Sequence, residues 1–242
     1  MKLIKLDAID STNDFLKGLS NKQELENFTV VTAENQTRGK GQMGSVWDSE
    51  AGKNLTMSVF IKDCLLDVNQ IFKLNIGIAL AIVQALEVFN IPSLMIKWPN
   101  DIMSYNYKIG GMLIENSIKS DGTVHSIVGL GLNVNQINFG TLAKASSLAV
   151  ICNTQFDKDE IMYGIVEKMK ESVSIINEDP VFLWKEYSNR LFKKGVVMAF
   201  RNKLDQNFMG IIQGVSSHGK LQILLEDDSV SEYSLKEVQM LY

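Results

Sequence analysis

The sequence predicts an α+β fold, a mixed sheet flanked by helices and followed by a small all-β module. Three observations carry this expectation. Apolar residues recur at helical spacing over residues 70–89 and 158–176. Between those stretches, 109–118 and 124–134 flank Asp121-Gly122, a pair suited to a tight turn with positive φ. The two runs therefore pair as an antiparallel hairpin, which excludes a purely parallel, doubly wound sheet. After Lys193-Lys194-Gly195 the texture changes to short β-rich runs separated by polar turns.

Taken in order, Ser11-Thr12-Asn13 precede Phe15-Leu16, and these three residue types favour helix N-caps, so a short helix follows. Residues 28–33 are β-branched and apolar and read as a strand. They run into 34–45, a loop with three glycines and little periodicity. Residues 55–61 alternate like a strand, the helix over 70–89 is stopped by Ile91-Pro92, and Leu94-Met95-Ile96-Lys97 begins another strand. Over 158–176, Ile161, Ile165, Val166 and Met169 share one helical face, and 184–191 adds a last short helix. Strands over 196–200, 208–215, 221–225 and 229–234 follow, with His218-Gly219 in a turn. The expected division is thus 1–193 and 194–242, and a module of about fifty residues needs a neighbour to pack against.

A chain of 242 residues with 45% hydrophobic content can bury a sizeable core. Its net charge of −4 supplies no overall basic field, so nucleic acid is not an expected partner. Cys64 and Cys152 have neither CxxC spacing nor neighbouring histidines and read as buried thiols in a reducing compartment. His125 and His218 are isolated, so no protein-held metal site is expected. The first residues lack a signal-peptide pattern, and the apolar run over 76–89 is interrupted by Gln84 and Glu87. It falls short of the roughly 20 residues a membrane span needs. A cytoplasmic protein off the membrane is expected.

Three segments carry chemistry. In the first, Gln36-Thr37-Arg38-Gly39-Lys40-Gly41-Gln42-Met43-Gly44-Ser45-Val46-Trp47, glycines let backbone N–H groups approach an anion while Arg38 and Lys40 add positive charge. A solvated glycine turn would look the same, and no GxxxxGK[ST] pattern is present. In the second, Lys97-Trp98-Pro99-Asn100-Asp101, Pro99 restrains the turn that presents Asn100 and Asp101. Lys108-Ile109-Gly110-Gly111 then places a lysine where missing side chains leave room for a ligand. In the third, Gly129-Leu130-Gly131-Leu132-Asn133, glycines inside an apolar strand mark either a bulge or close approach by another group.

In this order and over these distances, the Ser11-Thr12-Asn13 cap, the glycine loop, the Lys97-to-Asp101 block with Lys108-Ile109-Gly110-Gly111, and the final glycine strand resemble the biotin–protein ligases. The resemblance implies a class II aminoacyl-tRNA-synthetase-like mixed sheet joined to a small SH3-like β-barrel. It also implies ATP-dependent activation of biotin to biotinyl-5′-AMP, followed by transfer to a lysine of a biotin carboxyl carrier protein. Magnesium would be delivered with ATP, and both monomer and homodimer are compatible. Many bacterial members carry an N-terminal helix-turn-helix repressor module; with the first motif beginning at Ser11, none is expected here. A lipoate–protein ligase-like enzyme and a non-catalytic biotin or biotinyl-adenylate sensor are the alternatives.

Carried over by resemblance, Lys108 and Lys40 are the catalytic cations, Lys108 meeting the biotin carboxylate and α-phosphate. Ser11, Thr12, Asn13, Gln36, Lys40, Gly41, Gln42 and Lys108 would bind biotin. Gly39, Lys40, Gly41, Trp47, Asn100 and Asn133 would bind the nucleotide, with Trp47 stacking on adenine or serving as a core aromatic. Trp98 reads as core and Asp101 as structural. The family loop commonly has arginines where this chain has Lys40, Gln42 and Ser45. Lysine keeps the charge but loses the planar two-point fork, and Gln42 loses charge outright, which bears on retention of the adenylate. The loop over 39–45 is expected to be mobile without ligand.

Overall fold

The computed structural model describes residues 1–64, 71–119 and 122–242. A seven-stranded mixed sheet forms its centre. Strand β1 (Leu3–Ile9) pairs in parallel with β2 (Val30–Gln36), and every other pairing is antiparallel. With β3 (Leu55–Lys62), β4 (Leu94–Lys97), β5 (Asp101–Ser104), β6 (Tyr107–Ile118) and β7 (Val124–Leu132), the spatial order is β1-β2-β3-β7-β6-β5-β4. The expected hairpin is present as β6 and β7, registered from Gly110 opposite Leu132 to Ile118 opposite Val124. Gly122 has φ +86, whereas Asp121 and Gln70, also named above, lie outside the described residues.

Helices cover both faces of this sheet. Helix α1 (Thr12–Lys22) is capped by the Ser11 hydroxyl, which accepts from the Asp14 N–H. Its Leu16 packs with Val31, Phe60 and Ile127 on one face. On the other face, α2 (Ile71–Val88) meets Leu55, Met57, Val59 and Ile61, and α4 (Lys158–Ile175) and α5 (Pro180–Asn189) pack on α2. Strand β3 therefore alternates in direction, yet nearly all of it is buried because both faces are covered. Helix α2 is long and apolar enough by composition to cross a membrane, but most of it is buried against its neighbours. The short α3 (Leu148–Cys152) links β7 to α4. Burial pushes the Cys64 thiol up to about 11, and Cys152 is half-buried.

The second sheet is antiparallel, with β8 (Val197–Asn202), β9 (Asn207–Val215), β10 (Leu221–Leu224), β11 (Val230–Tyr233) and β12 (Val238–Leu241) in the order β11-β10-β9-β8-β12. It stands where the small β-barrel was expected. Met198, Phe200, Ile212, Leu221 and Ile223 join the same apolar cluster as α2 and the large sheet. The chain between the sheets is stitched on both sides: Ile96 bridges Leu191, and Lys194 bridges Ile212. Three backbone hydrogen bonds secure it, Ile96 N–H to Arg190 O at 2.8 Å, Phe192 N–H to Ile96 O at 2.9 Å and Gly195 N–H to Ile212 O at 3.0 Å.

Candidate active site

Sheet register decides which side chains meet. On the α1 side of the large sheet, Thr56 lies opposite Gly131 and Ser58 opposite Gly129 across β3 and β7. Gly131 in turn faces Gly111 of β6, which faces Asp101 of β5. The glycines leave space that side chains from the other motifs fill. A methyl group built on Gly131 would overlap the Trp47 indole, 2.7 Å from Cδ2 and nearer still to Cε2. One on Gly129 would overlap the Asn13 amide, 3.0 Å from its Cγ. Gly111 lies under Lys108, with Cε and Nζ each 3.3 Å from a built Cβ. Of the two readings left open for these glycines, close approach is what the geometry displays.

These groups open onto one cleft of about 650 Å³ between the two sheets. Ser11, Thr12, Asn13 and Gln36 line one end. Their hydrogen bonds are tightly specified. The Gln36 Oε1 accepts from Thr12 N–H at 2.8 Å and Thr12 Oγ1–H at 3.0 Å. The Asn13 Nδ2 donates to Glu115 Oε2 at 2.8 Å and to Leu113 O at 3.4 Å. Ser58 Oγ stands 2.7 Å from Thr12 Oγ1 and 2.6 Å from Asn13 Oδ1.

Farther along, Lys108 Nζ lies 2.6 Å from Asp101 Oδ1, and Lys97 Nζ lies 3.5 Å from Asp101 Oδ2. Asp101 is thus a carboxylate clasped by two ammonium groups. The Lys108 amine also stands 5.8 Å from the Trp47 ring centroid. Trp47 itself is half-buried, and its indole N–H is sequestered from solvent without a partner. Asn100 is buried, donating from Nδ2 to Met112 O at 2.5 Å, which holds the turn between β4 and β5 against β6.

The glycine loop folds back as a compact flap. Lys40 bridges Val46, Gly41 N–H donates to Ser45 O at 2.7 Å, and Trp47 N–H donates to Gly39 O at 2.9 Å. Of the three positions lacking arginine, Ser45 donates from Oγ to Gln42 O at 2.8 Å, and Lys40 pairs with Asp14 Oδ1 at 2.7 Å. That hydrogen bond raises the Lys40 ammonium above its ordinary pKa. Lys40, Gly41, Gln42, Trp47, Asn100 and Lys108 all line the cleft. Gly39 and Asn133 do not: Gly39 is packed against the Trp47 carbonyl, and Asn133 is buried with Nδ2 donating to Ser146 O at 3.0 Å.

Sequence reasoning assigned no role to several cleft residues. Lys97 was quoted in its motif without a function. Lys144 and Tyr242 come from segments with no motif, yet Lys144 Nζ sits 4.0 Å from the Tyr242 ring centroid and Lys97 Nζ 5.3 Å from it. Burial pushes the Tyr242 phenol up, with Asp101 adding to the shift and Lys108 opposing it. Lys236, next to β12, donates from Nζ to Met43 O at 2.9 Å and tethers the flap to the second sheet. Replacing Lys236 with Ala is expected to speed amide exchange at Gly41 and Ser45 several-fold in hydrogen–deuterium exchange. Unchanged rates would mean that the tether does not restrain the flap.

Comparison with known proteins gives a consistent picture. The model of the biotin/lipoate A/B protein ligase family matches residues 6–133. The chain is 30% identical over 240 residues to the bifunctional ligase/repressor BirA of Bacillus spizizenii, covering 96% of this chain and 72% of that protein. It is 24% identical to the biotin–[acetyl-CoA-carboxylase] ligase of Mycobacterium tuberculosis, over 87% of this chain and 79% of that one. The fold is similar to that of the Aquifex aeolicus biotin protein ligase solved with biotin and ATP, with a TM-score of 0.81, 24% identity and coverage of 99% and 98% of the two chains.

Proposed function

The chain belongs to the biotin/lipoate A/B protein ligase family, and from that premise we propose how its cleft performs the chemistry of a biotin–protein ligase. The enzyme uses biotin and ATP as substrates and forms an amide bond to a carrier protein. One observation supports the residue assignment above all: Lys108 opens onto the same cleft as Ser11, Thr12, Asn13 and Gln36.

The two ends of the cleft suit the two ends of the vitamin. Asn13 commits both amide hydrogens to Glu115 and Leu113, so it offers a ligand its carbonyl oxygen. Thr12 likewise directs its proton to a protein oxygen, Gln36 Oε1 or Ser58 Oγ, and offers a lone pair, while Gln36, with Oε1 engaged by the Thr12 N–H, offers its NH₂. Two acceptors and a donor complement the two N–H groups and one carbonyl of biotin's ureido ring. A lipoyl head has no such groups and would leave these buried sites unpaired.

At the other end, the biotin carboxylate attacks the α-phosphorus of ATP. A C–O–P linkage forms, the bond to pyrophosphate breaks, and both reacting groups are anionic. Lys108, with Lys40 and the flap N–H groups, offsets that repulsion and the charge gathering on the phosphoryl oxygens. We place the nucleotide against Trp47, Gly41 and Asn100, with Gly39 and Asn133 shaping the flap and the strand end behind it. Magnesium enters as part of the nucleotide substrate, bridging phosphate oxygens as that ion ordinarily does. The neutral amine of a carrier lysine then attacks the acyl carbon, the C–N bond forms, and AMP departs as the acyl–oxygen bond breaks. The acceptor is the lysine of a biotin carboxyl carrier protein, and the site of action is the cytoplasm.

Incubation of the purified chain with labelled biotin, ATP, magnesium and an apo carrier domain is expected to label the carrier lysine, and unlabelled biotin but not lipoate should compete. Labelling that needs no ATP, or that lipoate suppresses equally, would falsify this reading.

A further inference from the structure

We propose that Ser58, a residue outside the cleft, is a positioning residue that fixes Thr12 and Asn13 as paired acceptors and thereby selects a urea-type head group over an apolar one. This rests on the biotin reading above. Ser58 is wholly buried in β3, on the face where Phe60 packs under α1. A buried hydroxyl needs partners. The Ser58 hydroxyl finds both in the first motif, Thr12 Oγ1 at 2.7 Å and Asn13 Oδ1 at 2.6 Å.

The direction of the network is set from its other end. Glu115 carries no proton as a carboxylate, so it turns the Asn13 NH₂ toward itself at 2.8 Å, and the Asn13 oxygen must face Ser58. Lys17 Nζ stands 3.5 Å from the other oxygen, Glu115 Oε1. Gly129, opposite Ser58, supplies the space in which the Asn13 amide lies. Asn13 is therefore confined sterically by position 129 and oriented by 58 and 115. Without the Ser58 hydroxyl, which gives its one proton to the Asn13 oxygen and accepts that of Thr12, the two groups lose their common anchor, and the acceptor pair is no longer prearranged for two N–H groups on one ring. ATP, whose phosphates meet the Lys108 end, makes no demand on this anchor.

The test uses the full chain with Ser58→Ala and Ser58→Cys. Cysteine nearly keeps the side-chain volume but is a weak donor, so it serves if the alanine variant does not fold. Calorimetric titration without ATP is expected to show biotin and desthiobiotin, which both carry the ureido ring, weakened alike by about 10-fold. The KM for ATP and the weak affinity for lipoate should stay at wild-type values. A folded variant whose biotin Kd stays within about twofold of wild type, or whose KM for ATP rises in parallel, overturns the positioning role. If the wild-type chain itself fails to bind biotin, the ligase reading falls and this inference falls with it.

Discussion

Lys108→Ala is expected to slow biotinyl-adenylate formation by about 100- to 1000-fold, the scale seen when one preorganised donor to developing charge is removed. The side chain starts from a defined place, lying above Gly111 with its amine 2.6 Å from Asp101. Two consequences combine on truncation. The carboxylate of the vitamin loses the cation that lets it approach a triphosphate, and Asp101 keeps only the longer 3.5 Å contact with Lys97, adding a poorly neutralised negative charge to an anionic site. Because Lys108 is only partly buried, its loss should leave the melting temperature near that of wild type. Pyrophosphate release measures the chemical step. Turnover at the wild-type rate would remove Lys108 from the mechanism.

The second large effect is expected from Gly131→Ala. The new methyl group would lie 2.5 Å from Trp47 Cζ2, far inside the roughly 3.5–4 Å separation of carbon atoms in contact. Either the indole leaves or β7 shifts. Overpacking of this kind costs about 1–3 kcal/mol, so nucleotide affinity should fall by about 10- to 100-fold as the Trp47 wall of the cleft is displaced. Gly18→Ala in α1 is the matched control, since nothing lies within 4 Å of a Cβ there. Equal effects of the two substitutions on nucleotide binding would show that the space above Gly131 is not used.

Much of the fold was legible because its signals are local. Helix α1 announces itself through Ser11-Thr12-Asn13, and the β6–β7 hairpin through two long apolar runs about a turn. What escaped depended on distant partners. Strand β1 pairs in parallel with β2 at the sheet's edge, so nothing within Leu3–Ile9 reveals its register. Strands β5 and β12 have four residues each, too few for alternation to stand out, and Asp101, read as part of a turn, opens β5. Helix α5 begins at Pro180, earlier than the apolar pattern suggested, although Asp179-Pro180 carries the cap-and-proline start that marks such a boundary.

The site divides along the same line. Lys108, Lys40 and Thr12 stand in motifs whose order and spacing already point to one chemistry. Ser58 lies in a largely apolar strand where a hydroxyl looks incidental, and only the pairing of β3 with β7 beneath α1 gives it partners. Lys144 and Tyr242 meet across the cleft because a loop following β7 and the residue following β12 converge there, an encounter that no window of sequence contains.

The short connection joining Leu191 to Gly195 is fastened at both ends. The second sheet is thereby joined to the large one as a wall of the cleft. The strip between Gly39 and Trp47 is held to that wall by a side chain, Lys236 on the Met43 carbonyl, so lifting it would break no pairing between strands of the two sheets.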